Sequence, residues 1–182
     1  MGNMHENKGA PGSDKHVSAK AEISRRNIKT KVGEISEMSK SIMLSLNPKW
    51  WKKIIQGVKT IEVRKRAPLQ QHPYKVYVYC TKNGNPLWRA GIVGKIKPYM
   101  MNGTVCGEFT CVSTTEYGPS LRNVPGGTCL TPKELYEYMG AGNKLCFMAI
   151  EDPILYDEPK SLEDFGLKRP PQNWQYINGR EQ

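Results

Sequence analysis

Ile42, Leu44 and Leu46 recur at a period of two, the mark of a strand with one buried face. Asn47 follows as an N-cap, and Pro48 stands at the first helical position, where its missing N–H costs nothing. Trp51, Ile54 and Ile55 then fall at helical spacing, with Lys49, Lys52 and Lys53 outside the stripe, and Gly57 supplies a left-handed stop. The stretch GVKTIEVRKRAP resumes the strand period. Ile61 and Val63 take one face, Thr60, Glu62, Arg64 and Arg66 the other, and Lys59 sits at the strand's start. The predicted unit is strand, short helix, strand.

After the turn-rich APLQQHP, KVYVYCT alternates Val76, Val78 and Cys80 against Tyr77, Tyr79 and Thr81. AGIVGKIK and VCGEFTCVST predict two further strands, and Gly91, Gly94 and Gly107 suit bulges or bends in a curved sheet. NGNPLW, KPYMMNG and EYGPSLRNVPGG are predicted loops. LTPKELYEYMG starts a second helix, LCFMAIEDPILY is a strand, and SLEDFG is one helical turn. There is no internal repeat. Short strands with two short helices predict an α+β domain around a small barrel-like sheet.

Residues 1–40 carry scattered charges, few aromatics and no sustained period, so they are expected to form a weakly ordered or disordered tail, with at most a short helix over 25–38. Residues 41–182 make the domain. No apolar run is long enough to span a bilayer and no signal-type apolar segment follows Met1, which predicts a soluble, cytoplasmic protein. Of three histidines only His72 falls in the domain. The five cysteines form no CxxC pair and are expected to be buried thiols. Neither metal site nor cofactor is predicted.

Charge changes the picture most. The chain carries a formal net charge of +10. Between Lys49 and Lys97 lie twelve basic residues and one acid, Glu62. Ordinary surfaces mix both signs, so this segregation points to a polyanion partner, with Trp50, Tyr74, Tyr77, Tyr79 and Trp88 interleaved as candidate stacking rings. Glu62 either pairs locally with Arg64 or accepts a hydrogen bond from a base's amino group. Lys59 either meets phosphate as a cation or acts as a general base. Glu134 fits a capping box begun by Thr131, which is a structural role, and is also a candidate second carboxylate.

SLNPKWWKKIIQGVKTIEVRKR resembles the opening of the ASCH family, a branch of the PUA-like superfamily, whose motif G-x-K-x-x-E-x-R is matched by Gly57, Lys59, Glu62 and Arg64. The later GEFTC, LTPKEL and RPPQNWQY resemble bacterial and phage-borne members, so the likeness spans roughly residues 42 to 177. It implies a PUA-like β-pseudobarrel with short flanking helices and a basic groove for RNA or a nucleotide ligand, DNA remaining open. The residues expected along that groove are Lys53, Lys59, Glu62, Arg64, Lys65, Arg66, Tyr79 and Trp174.

Some relatives are enzymes, amidohydrolases on N4-acetylcytidine or a ribonuclease. In the amidohydrolases a Lys, a Thr and a Glu do the work. Their lysine corresponds to Lys59 and their glutamate to Glu134, while Glu62 stands where they carry threonine. The enzymatic alternative therefore assigns catalysis to Lys59, Glu62 and Glu134.

Overall fold

The computed structural model describes residues 40–89 and 99–177. The expected tail, its short helix and the strand expected over 90–97 lie outside those residues. Strand β1 (Ile42–Leu46) leads into helix α1 (Pro48–Ile55), and β2 (Ile61–Arg64) and β3 (Tyr74–Cys80) follow. A two-stranded ribbon pairs β4 (Trp88–Arg89) with β5 (Tyr99–Met100). Next come β6 (Val105–Tyr117), α2 (Pro132–Met139), β7 (Leu145–Lys160), a 3₁₀ turn at Glu163–Phe165, and β8 (Trp174–Tyr176).

The local signals act as expected. The Asn47 side chain accepts from Lys49 N at 2.9 Å, and Gly57 adopts φ +71° after the helix. Thr131 and Glu134 close a reciprocal capping box on α2. Two boundaries differ from expectation. Strand β6 runs on through Glu116 and Tyr117, because β7 pairs with it down to Leu145. Strand β7 continues past Pro153 to Lys160. A proline is tolerated there because Pro153 falls at a register shift, between Glu151 opposite Thr110 and Ile154 opposite Glu108, and lies past the part of β7 that pairs with β2. The Tyr99–Met100 segment, expected as loop, is a short strand.

The main sheet has the order β2-β7-β6-β3-β1-β8, antiparallel except for the parallel β1–β3 pair. It curls into a half-barrel that brings its two edge strands face to face, and side chains close the seam between them. From β2, Arg64 donates through Nη2 to Ser45 O at 2.8 Å and through Nη1 to Asn173 Oδ1 at 2.9 Å. Trp174 Nε1 on β8 donates to Arg66 O at 2.8 Å.

The main core gathers Ile42, Leu44, Leu46, Trp51, Ile54, Val76, Val78 and Phe109 inside the curl. Gly107 lies under Trp51 at a register shift between β6 and β7; a Cβ there collides with the Ile154 carbonyl oxygen and the Trp51 ring. Both faces of β1 are buried, where alternation predicts one. Met43 packs with Tyr79, Val105 and Ile177, because Leu162, Phe165 and Leu167 of the C-terminal segment cover that side.

Candidate functional site

Lys59, Glu62 and Arg64 converge in a chamber of about 300 Å³ lined also by Ser45, Asn47, Trp50, Leu130 and Tyr138. The turn after α1 sets the lysine. Val58 N and Lys59 N both donate to Lys53 O at 3.0 Å, which turns the chain back so that the Lys59 side chain points inward and is only 3% exposed. Strand alternation then sends Glu62 and Arg64 to the chamber, while Val63 packs with Leu135, Leu145 and Phe147 on the other face.

The loop between β6 and α2 completes the wall. Thr60 N and Ile61 N donate to Gly127 O at 2.9 and 3.1 Å, and this docking delivers the Thr128 carbonyl to Lys59. Gly127 has φ +89° and faces Thr60 Oγ1 so closely that a Cβ has no room. Gly127→Ala should therefore pull the loop off β2, lowering the melting temperature by several degrees and speeding amide exchange at Thr60 and Ile61 together. Thermal melts and amide exchange of the same preparation check this, and unchanged protection of Thr60 and Ile61 in a folded variant would show that the loop stays docked without the glycine.

The Lys59 ammonium donates to Ile61 O at 2.7 Å and Thr128 O at 2.8 Å, and forms an ion pair with Glu62 Oε2 at 3.2 Å. Glu62 is 5% exposed, and its second oxygen lies 2.9 Å from Arg64 Nε, an ion-pair contact without the alignment of a hydrogen bond. A carboxylate thus sits between two cations. Its oxygens keep acceptor capacity toward the chamber, and the trio has a surplus of one positive charge.

Two rings flank this polar floor. The Trp50 ring lies 5.4 Å from Lys59 Nζ, with Lys49 and Lys53 ammoniums 4.6 and 5.2 Å away. Tyr138, on α2, lies 5.5 Å from Lys65 Nζ. Its hydroxyl is held above its ordinary pKa chiefly by burial.

Other residues singled out in the sequence fall elsewhere. Tyr79 is 4% exposed in the Met43 cluster and presents no free face to a base. Trp174 belongs to the seam, stacked edge-on against Tyr176 at 5.4 Å. Arg66 is exposed and uses its carbonyl in the seam. Lys75, counted in the basic run, pairs with Glu108 at 2.7 Å.

Glu134 is exposed and does not line the chamber. Its Oε2 accepts from Thr131 N and Oγ1 at 2.7 and 2.8 Å, which holds its pKa below the ordinary carboxylate value, with Lys49 and Lys53 nearby contributing less. A depressed pKa means the cap contributes stability above the ordinary carboxylate range and loses it as pH falls through the lowered value. Glu134→Gln should accordingly leave the neutral-pH melting temperature within a few degrees of wild type and flatten its fall in acid.

Sequence reasoning missed Tyr138, Ser45, Asn173 and Thr128, and treated Trp50 as only one stacking candidate among several. Trp50 had a signal: it is the aromatic that falls off the Trp51–Ile54 stripe, among lysines. The carbonyls had none. Of the cysteines, Cys80, Cys106, Cys111 and Cys146 are buried thiols and Cys129 is partly exposed. Among the described residues no cluster of three metal-ligating side chains occurs, and no helix is long and apolar enough to cross a membrane.

The comparisons with known proteins address the fold. No protein-family model matches the chain, and no curated protein matches it. Among solved structures the chain is similar to the ASCH protein of Zymomonas mobilis, at 20% identity and a TM-score of 0.56, covering 76% of this chain and 88% of that one. Crystal structures of two point mutants of that protein match equally well, one covering 77% of this chain and 91% of its own. The six-stranded curled sheet, its two flanking helices and this likeness together show that the chain has an ASCH-type fold.

Proposed function

We propose that the chamber reads a single unpaired base of RNA, or of a modified nucleotide, with Glu62 as the reader and the surrounding lysines as phosphate contacts. The observation that carries this reading is a buried carboxylate facing a chamber of about 300 Å³ between Trp50 and Tyr138. That volume is at the lower end for small-molecule pockets. A carboxylate accepts from an exocyclic amino group, and flat rings beside it stack on a base. Lys49, Lys53 and Lys65 stand around the two rings to meet the backbone.

Two features weigh toward binding and away from the hydrolase alternative. Lys59 Nζ is tied to two backbone carbonyls and paired with Glu62, which suits a fixed buried cation of the recognition site. Glu134 is committed to its cap, outside the chamber lining.

Fluorescence-polarisation titrations with oligocytidylate, oligoadenylate and oligouridylate test the reading. Cytosine and adenine offer an amino donor where uracil offers a carbonyl, so the first two should bind about tenfold tighter or better. Glu62→Gln, whose amide both donates and accepts, should erase most of that preference. Log affinity should fall with log salt at a slope of about −0.7 per phosphate neutralised. Absence of binding to all three, or binding indifferent to salt, would remove the proposal. Hydrolysis of an N4-acylated cytidine that disappears in Lys59→Arg, a side chain that stays protonated, would replace it with the enzyme.

A further inference from the structure

We propose that the β4–β5 ribbon is a second nucleic-acid contact, in which Trp88 stacks on a base several nucleotides away from the one held in the chamber. The inference rests on the base-reading function above and extends it to the length of strand bound.

The ribbon has a strict inside and outside. Leu87 and Met101 turn inward onto the main core, Met101 being fully buried, and the ribbon's base is fastened by Met101 N to Leu87 O at 2.9 Å and Leu87 N to Asn102 Oδ1 at 2.8 Å. Their neighbours Trp88 and Met100 pair across the ribbon and point outward. Trp88 is 56% exposed and Met100 50%. Tryptophan is usually well buried, so a half-exposed ring opposite a half-exposed methionine, on a ribbon anchored from behind, offers an apolar face to solvent.

Two observations specify nucleic acid as what covers it. The first is continuity with the chamber. Asn47, a chamber-lining residue, donates through Nδ2 to Asn83 O at 3.2 Å and packs against Gly84, so the segment leading to Trp88 starts at the chamber wall. Trp88 lies five positions after Asn83, a span of at most about 18 Å. The second is charge. Lys82 is exposed at the start of this path, Lys49 is exposed next to the Asn47 cap that fastens it, and residues 81–89 contain no acid. A protein partner for an apolar patch needs no such cationic approach, whereas a single strand combines stacking bases with a phosphate backbone.

The experiment compares wild type, Trp88→Ala, Trp88→Phe and Met100→Ala in the full chain, with two probes: cytidine 5′-monophosphate and an octacytidylate. Trp88 is exposed, so the variants should keep the wild-type melting temperature. Trp88→Ala should bind the monophosphate as wild type does and the octamer about tenfold more weakly, the size of one lost stacking contact. Trp88→Phe should recover most of the loss, and Met100→Ala should show a smaller one. Quenching of tryptophan fluorescence by the octamer should shrink in Trp88→Ala.

Octamer affinity unchanged in a folded Trp88→Ala would overturn the ribbon contact while leaving the chamber reading in place. Equal weakening toward both probes would also overturn it, since the residue would then be acting on the chamber. Failure of the wild type to bind the monophosphate, with an octamer affinity that still depends on Trp88, would remove the chamber reading and keep the ribbon. Wild type binding neither probe would overturn both, and a partner that proves to be a protein would surface as that outcome.

Discussion

Lys59→Met should destabilise the domain by about 3 kcal/mol, and adding Glu62→Leu should return most of that loss without restoring any ligand binding. Methionine fills much of the lysine's volume but leaves the Thr128 carbonyl and one side of a buried carboxylate without their donor, and breaking one partner of a buried ion pair costs several kcal/mol. Removing the carboxylate as well replaces the pair with packed apolar groups, an exchange that is often neutral. Arg64 keeps Ser45 O and Asn173 Oδ1 in the double variant, so it is not stranded. Denaturant unfolding of the four proteins of the cycle measures the coupling. A double variant as unstable as the sum of its singles would mean that Lys59 and Glu62 are not acting as a buried pair. A double variant that regains both stability and binding would mean that the pair belongs to the fold alone.

Arg64→Ala should open the seam of the half-barrel. The guanidinium touches β1, the approach to β8 and Glu62 together, and its loss leaves a carbonyl and an amide oxygen without their donor. The expected cost is about 2–4 kcal/mol. Arg64→Lys should recover little of it, because a single ammonium cannot reproduce a planar fork that reaches two acceptors at once. Amide exchange locates the effect: Trp174–Tyr176 should lose protection well before the β6–β7 ladder does. Protection lost evenly across the sheet would contradict a local role at the seam. Because Arg64 and Lys59 share Glu62, their effects should not add.

The parts of the fold that could be read from the sequence are those fixed by neighbours along the chain. Asn47, Pro48 and Gly57 bound α1, Thr131 and Glu134 cap α2, and SLEDFG makes its single turn, each within a few residues. The β2 alternation placed Glu62 and Arg64 on one face with Val63 behind them. What the residues did not disclose depends on distant segments. Glu62 and Lys59 looked like groove-surface charges; they are buried because a loop arriving 69 residues later lays Thr128 over them. Tyr79 had the right parity for a stacking ring, but the segment around Phe165 covers it. Strand β6 runs past its apolar alternation because pairing with β7, rather than its own composition, sets where it stops.

Strand β1 is hydrogen-bonded on one side to β3 and on the other to β8, and the Ser45 hydroxyl reaches Pro171 O, 126 residues away. Contacts of such long sequence separation form late, since a large loop must close before they contribute. During synthesis the β1 edge is therefore bare, and the chamber lacks the Asn173 anchor, until β8 has emerged. The helix and the motif lysine exist early, but a nascent chain carrying the whole G-x-K-x-x-E-x-R stretch still lacks the Thr128 and Asn173 contacts that hold Lys59 and Arg64 in place.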